Sequence, residues 1–128
     1  MIVANIKIKL EVNSPMNFGA KEVIELYLDD RIPSWVISKQ SPKNKGKRPI
    51  LKTLLSTDVE EVLNNFGQAK LSPLPTFLSG KDGATFNLEI FQGYYSVRYR
   101  WWTITPDGYE PVGDLVKQLY EWSNNDTD

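Results

Sequence analysis

One stretch of alternating apolar and polar residues, 84–102, constrains the fold of this chain more than any other. It predicts a β-hairpin, because the alternation has the period of a half-buried strand and Gln92-Gly93 supplies glycine where a tight loop needs positive φ. The predicted apolar face pairs Ile90 with Tyr95, Leu88 with Val97, Phe86 with Tyr99 and Ala84 with Trp101. The predicted polar face sets Glu89, Asn87 and Thr85 against Ser96, Arg98 and Arg100.

Alternation elsewhere predicts further strands at residues 2–12, 21–28, 32–37 and 50–55. Residues 21–28 also fit a helical stripe, but the neighbouring segments are rich in strand-forming residues and favour a strand. Pro33 cannot donate to a ladder, so the third strand is expected to begin at an edge or after a bulge.

Two helices are predicted. Thr57 and Glu60 have the spacing of a capping box, Asp58 favours the first turn, and Gly67 is a natural end. The apolar stripe of this helix is Val59, Val62, Leu63 and Phe66. A second helix is predicted from about 112 to 122 by Val112, Leu115, Val116, Leu119 and Trp122.

The predicted strands follow one another in runs and do not alternate with helices. This order predicts an α+β fold with a largely antiparallel sheet of five to six strands and two short helices. The length of 128 residues is that of one domain, expected over 1–123, followed by a polar tail at 124–128.

The chain contains no cysteine and no histidine. This excludes disulfides, thiolate nucleophiles, Ser-His-Asp chemistry and the commonest zinc ligands, so no metal or cofactor is expected. An enzyme would depend on carboxylates alone. The adjacent acids Asp29-Asp30 and Glu60-Glu61 point in diverging directions, which favours turn and helix roles over acid–base catalysis. A carboxylate-dependent enzyme is therefore the least favoured alternative.

The N-terminal segment has no basic region followed by an unbroken apolar run, and no window approaches the length of a membrane span. We therefore expect a cytoplasmic protein that does not enter the membrane.

Basic residues concentrate in the segment 39–48, which holds no acid. Its cations are Lys39, Lys43, Lys45, Lys47 and Arg48. A solvated loop is the simple interpretation, while a nucleic-acid-binding domain that combines this loop with Arg98 and Arg100 is the alternative. The rest of the chain has 10 basic and 16 acidic residues, which favours a basic partner.

The richest candidate binding surface is the polar face of the second hairpin strand. It would comprise Arg98, Arg100 and Trp102, joined by Tyr94 and Tyr109, with Trp35, exposed or buried, as the next aromatic candidate. Arginine and aromatic side chains on one strand face suit contact with a protein or a nucleic acid. The competing interpretation packs Trp102 beneath the C-terminal helix and pairs the arginines with Glu89.

Over about 55–122 the chain combines a helix ending near Phe66, a Leu-Pro segment, the hairpin motif Asp82-Gly83-Ala84-Thr85-Phe86-x-Leu88-Glu89 and a final Leu-rich helix. With these features it resembles a group of small uncharacterised bacterial proteins. The resemblance implies the fold and says almost nothing about activity, since it offers no established catalytic residues to carry over. Some members of the group resemble accessory or immunity-like proteins. The first hypothesis is thus a non-enzymatic protein-binding factor, immunity- or antitoxin-like, with homo-oligomerisation through a sheet edge left open.

Overall fold

The computed structural model describes residues 6–13, 21–29, 34–40, 50–70, 84–102 and 107–124. The strands are β1 (Ile6–Asn13), β2 (Lys21–Asp29), β3 (Ser34–Gln40), β4 (Ile50–Leu54), β5 (Thr85–Gln92) and β6 (Tyr95–Trp102). The helices are α1 (Ser56–Gln68) and α2 (Glu110–Asn124). The strands form one sheet in the order β4-β3-β2-β1-β5-β6, with every neighbouring pair antiparallel. The predicted α+β fold is confirmed.

The predicted strands are present, and residues 21–28 belong to a strand rather than a helix. The third strand begins at Ser34, directly after Pro33, and continues to Gln40, beyond its predicted end. Residues 2–5 and 32–33 of the predicted strands lie outside the described ranges.

The hairpin is confirmed, but its predicted loop and pairing are wrong. The loop is Gly93-Tyr94, and Gly93 has the positive φ of 59° that a tight turn requires. The observed pairs are Ile90 with Val97, Leu88 with Tyr99, Phe86 with Trp101, Glu89 with Arg98 and Asn87 with Arg100. The predicted register is thus displaced by two residues, and the faces are still correct because side chains in a strand alternate with a period of two.

The predicted capping box of α1 is wrong. The helix begins at Ser56, one residue before Thr57, and Leu55 occupies the N-cap position without a side-chain hydrogen bond. Asp58 lies in the first turn as predicted, while Gly67 lies within the helix instead of ending it.

In α2 the predicted stripe faces the core, and the helix extends about one half-turn beyond its predicted bounds at each end. Neither helix in the described part of the chain has the length and apolar content needed to cross a bilayer.

The core lies between one face of the sheet and the two helices. Alternate residues of the central strands point to this side, together with the apolar stripes of α1 and α2. Its buried members are Ile6, Ile8, Leu10, Ile24, Leu26, Trp35, Ile37, Val59, Leu63, Leu88, Val112, Leu115, Val116 and Leu119. An edge-to-face contact between Phe66 of α1 and Tyr99 of β6, with ring centroids 6.4 Å apart, joins the first helix to the end of the sheet.

The last turn of α2 is held against β2 and β3 by one half-buried lysine. Lys39 Nζ lies 3.7 Å from Glu22 Oε2, 5.8 Å from the centre of the Tyr120 ring, and donates to Asn124 Oδ1. Burial raises the pKa of Tyr120, and its hydrogen bond to Glu22 raises that pKa further. Because α2 has no basic residue of its own in the last turn, Lys39 supplies the positive charge that a helix C-terminus favours.

Replacing Leu88 by alanine tests the position of the core. Leu88 is 0% exposed at the centre of β5, so Leu88→Ala is expected to lower the free energy of unfolding by about 2–5 kcal/mol. Leu55→Ala is the matched control, because Leu55 is 70% exposed and its loss is expected to cost less than about 0.5 kcal/mol. Urea denaturation followed by tryptophan fluorescence measures both, and equal losses would contradict the packing described.

Candidate functional site

Strand β6 lies at an edge of the sheet, and its first half is exposed on both faces. Tyr95 and Val97 point to the side of the helices, yet they are 81% and 43% exposed. Tyr94 in the hairpin loop is fully exposed. The helices therefore leave the first half of β6 uncovered, and its apolar side chains lie beside a strand edge with which no described strand pairs.

The two-residue loop determines which backbone N–H and C=O groups of β6 point away from β5. In such a hairpin Gln92 and Tyr95 form the first hydrogen-bonded pair, and hydrogen-bonded and non-hydrogen-bonded pairs alternate from there. The N–H and C=O groups of Ser96, Arg98 and Arg100 therefore point away from β5. They are available to a further strand.

The structure brings Arg98, Arg100 and Trp102 onto one face of β6, as predicted by their spacing. Arg98 Nη2 lies 3.4 Å from Glu89 Oε2, and its side chain remains 60% exposed. Arg100 is exposed and forms no ion pair with any described residue. Trp102 is half-buried on this face and does not lie beneath α2, where its neighbour Trp101 is found.

The other two aromatic candidates lie apart from this face. Tyr109 precedes α2 and makes an edge-to-face contact with Tyr99, with ring centroids 6.3 Å apart, on the helix side of the sheet. Trp35 is 1% exposed and belongs to the core, so it is not a surface aromatic. The candidate contact surface is therefore limited to β6 and its loop, which we call the β6 edge (residues 94–102).

On the polar sheet face, charged residues of β1 and β2 form ion pairs with one another. Lys7 Nζ lies 2.9 Å from Glu25 Oε2, and Glu11 lies 3.2 Å from Lys9 Nζ and 3.5 Å from Lys21 Nζ. Burial alone would raise the pKa of Glu11, but the hydrogen bonds and charges of the two lysines outweigh it and lower that pKa below its ordinary value. These charges pair with one another, whereas Arg100 forms no ion pair with any described residue.

A groove not predicted from the sequence lies between α2 and the end of the sheet, with a cavity volume of about 590 Å³. Its apolar wall consists of Val116, Phe86 and Trp101. The two aromatic rings stack in parallel, with centroids 5.3 Å apart and planes inclined by 6°. The predicted hairpin register placed Phe86 opposite Tyr99 and so did not bring Phe86 and Trp101 together. A prediction with the loop at Gly93-Tyr94 would have paired them. We call this feature the α2 groove.

The rim of the α2 groove is acidic. Glu110, Asp114 and Glu121 line it together with a single cation, Lys117, and all four side chains are exposed. The carboxylate of Glu110 accepts hydrogen bonds from the backbone N–H of Gly108 at 3.0 and 3.1 Å. Backbone hydrogen bonds from Glu110 itself and from Gly108 lower the pKa of this carboxyl group, which favours its charged form.

The other predicted motifs contribute no site within the described ranges. Glu60 and Glu61 are exposed on α1, while the side chains of Asp29 and Asp30 lie outside the described residues. Nowhere in the described part of the chain do three or more acidic residues gather as metal ligands would. Lys43, Lys45, Lys47 and Arg48 also lie outside the described ranges, so the nucleic-acid alternative stays a prediction.

No known family model matches the chain, and no curated protein matches its sequence significantly. The resemblance to small bacterial proteins therefore stays a prediction. The β6 edge and the α2 groove are the two candidate sites in the described part of the chain.

Changing Glu11 to glutamine tests the paired charges of the polar sheet face. Because the folded state lowers the Glu11 pKa, its contribution to stability is fully present above the unfolded value near 4.5 and is lost as the pH falls through the folded pKa. Glu11→Gln is expected to cost about 1 kcal/mol at pH 7 and progressively less on acidification. Thermal unfolding between pH 7 and pH 2 measures this difference, with Glu60→Gln as the exposed control. A deficit that persists unchanged at the lowest pH would contradict the pairing.

Proposed function

We propose that this chain is a non-enzymatic binding protein that accepts an extended, acidic segment of a partner protein at the β6 edge. The observation that carries the proposal is an eight-residue edge strand whose first half is exposed on both faces. Proteins normally shorten, cover or interrupt such an edge, because its unpaired N–H and C=O groups recruit other strands. A partner strand would satisfy these groups directly.

The two faces of β6 define the side chains that the partner should carry. A paired strand would alternate in step with β6, so every second side chain would lie beside Arg98 and Arg100. The remaining side chains would lie beside Tyr95 and Val97. The favoured partner therefore alternates acidic with apolar or aromatic residues. The net negative charge of the chain outside 39–48 favours a basic partner at long range. At the contact itself, however, β6 presents the guanidinium groups of Arg98 and Arg100. Because the attraction between charges is strongest at short range and is screened by salt at long range, these groups favour an acidic partner strand.

A second copy of this chain fits the β6 edge less well than an acidic strand. Antiparallel self-pairing centred on Arg98 would oppose the two Arg98 side chains, and pairing centred on Tyr99 would oppose Arg98 with Arg100. Like charges placed directly opposite one another destabilise a sheet. Pairing centred on Val97 avoids both clashes, since it places Arg98 opposite Ser96. Self-association is accordingly an outcome that the experiment must distinguish.

A binding protein of this kind suits an immunity- or antitoxin-like role in the cytoplasm. Such factors act by occupying a partner's surface and need no catalytic group. The carboxylate-dependent enzyme is less well supported, because the acids of the α2 groove are all exposed and a general acid or base usually needs a buried, perturbed carboxyl group.

Synthetic peptides provide the direct test of strand addition. A peptide alternating glutamate with valine and tyrosine should slow hydrogen exchange at the outward amides of Ser96, Arg98 and Arg100, because a paired strand protects them. The same peptide with lysine in place of glutamate should protect them far less. Two-dimensional NMR on the whole chain measures both. Equal protection by both peptides, or none by either, would contradict the proposal, and protection that rises with protein concentration alone would identify self-association.

Ser96→Pro gives a matched backbone test. Proline removes an outward N–H of β6 and leaves the inward hydrogen bonds to β5 in place, so peptide protection should be lost while the fold is retained. Ser96→Ala keeps the N–H and is expected to bind as the parent chain does. Binding by the proline variant at parental strength would place the contact elsewhere.

A further inference from the structure

The α2 groove has a chemistry different from that of the β6 edge. We propose that it binds a linear aliphatic polyamine, a flexible chain of ammonium groups joined by methylene carbons. The cavity volume of about 590 Å³ lies within the range typical of small-molecule sites. The inference does not depend on the function proposed for the β6 edge.

The net negative charge of the rim favours a cationic ligand in the α2 groove. Its rim holds three carboxylates and one amine, and none of the four forms an ion pair with any described residue. Glu110 is held in its charged form by backbone hydrogen bonds at its own position and from Gly108. A cation entering the groove therefore meets three carboxylates without having to break an ion pair with a described residue, and it reduces the repulsion between the like charges of the rim.

The spacing of the carboxylates selects an elongated cation with several charges. Glu110, Asp114 and Glu121 share one stripe of α2, since they are separated by four and seven residues. These separations are roughly 6 and 10 Å along the helix axis. Ammonium groups joined by a few methylene carbons have separations of the same order, so one extended molecule can engage more than one carboxylate.

The apolar wall selects an aliphatic chain over an ion or a peptide. Phe86 and Trp101 stack as one continuous aromatic surface, against which methylene groups can pack and ammonium groups can make cation–π contacts. A divalent metal needs oxygen ligands that converge, and the described residues hold no such cluster. A peptide would bring backbone N–H and C=O groups that need partners of their own.

Lys117 provides a specific test of polyamine binding in the α2 groove. It lies on the same stripe, between Asp114 and Glu121, and its charge opposes that of a bound cation. Lys117→Gln should therefore tighten polyamine binding, whereas removal of the acids should weaken it. A variant that merely damages the fold cannot produce tighter binding.

Isothermal titration calorimetry with spermine on the whole chain, at about 0.15 M salt, tests the site. Saturable binding with a dissociation constant below about 1 mM is expected. The double variant Asp114→Asn, Glu121→Gln should weaken it about tenfold, and Lys117→Gln should strengthen it several-fold. The control is Glu60→Gln, Glu61→Gln, which removes two exposed carboxylates from α1 and should leave the affinity unchanged.

Three outcomes would overturn the proposal. These are the absence of saturable binding, an equal loss of affinity in the α1 control variant, and displacement of spermine by Mg²⁺ at equal concentration of charge. The last two would show attraction to the net acidic surface alone. Thermal unfolding of each variant verifies that the fold is retained.

Discussion

The pairing of β1 with β2 on one side and β5 on the other is the constraint on which the rest of the structure depends. Leu10 lies between Ile24 and Leu88, and all three are fully buried. A slip of one residue would move Lys9, Glu25 and Glu89 into the core, where unpaired charges cost several kcal/mol each. The central register is therefore strongly specified, and the strands added outward from it leave β4 and β6 at the edges of the described sheet.

Two helices lie against one face of a six-stranded sheet, and they do not cover all of it. The strands packed most closely with α2 are β2, β3 and β4, and Lys39 holds the end of that helix near Glu22. The first half of β6 is consequently exposed on the helix side, and a groove opens between α2 and the Phe86–Trp101 pair. Both candidate sites are consequences of incomplete coverage.

Strand alternation gives β6 two opposite chemical characters. Arg98 and Arg100 project from the polar face of the sheet, while Trp101 projects from the other face into the α2 groove. One strand thus presents cations on one side and contributes to an acidic, aromatic groove on the other. We therefore expect the two surfaces to select ligands of opposite charge, an acidic strand at the edge and a cationic chain in the groove.

The sequence by itself determined the element types and the buried faces, because alternation and helical spacing are local properties of the chain. It left the hairpin register uncertain by two residues, since a shift of two preserves both faces and so leaves no trace in the polarity pattern. Only the tertiary structure decided that Trp35 is buried, that β6 is an edge, and that Phe86 stacks on Trp101 beside the acids of α2. Those facts depend on which distant segments meet, and long-range packing, not local periodicity, decides that.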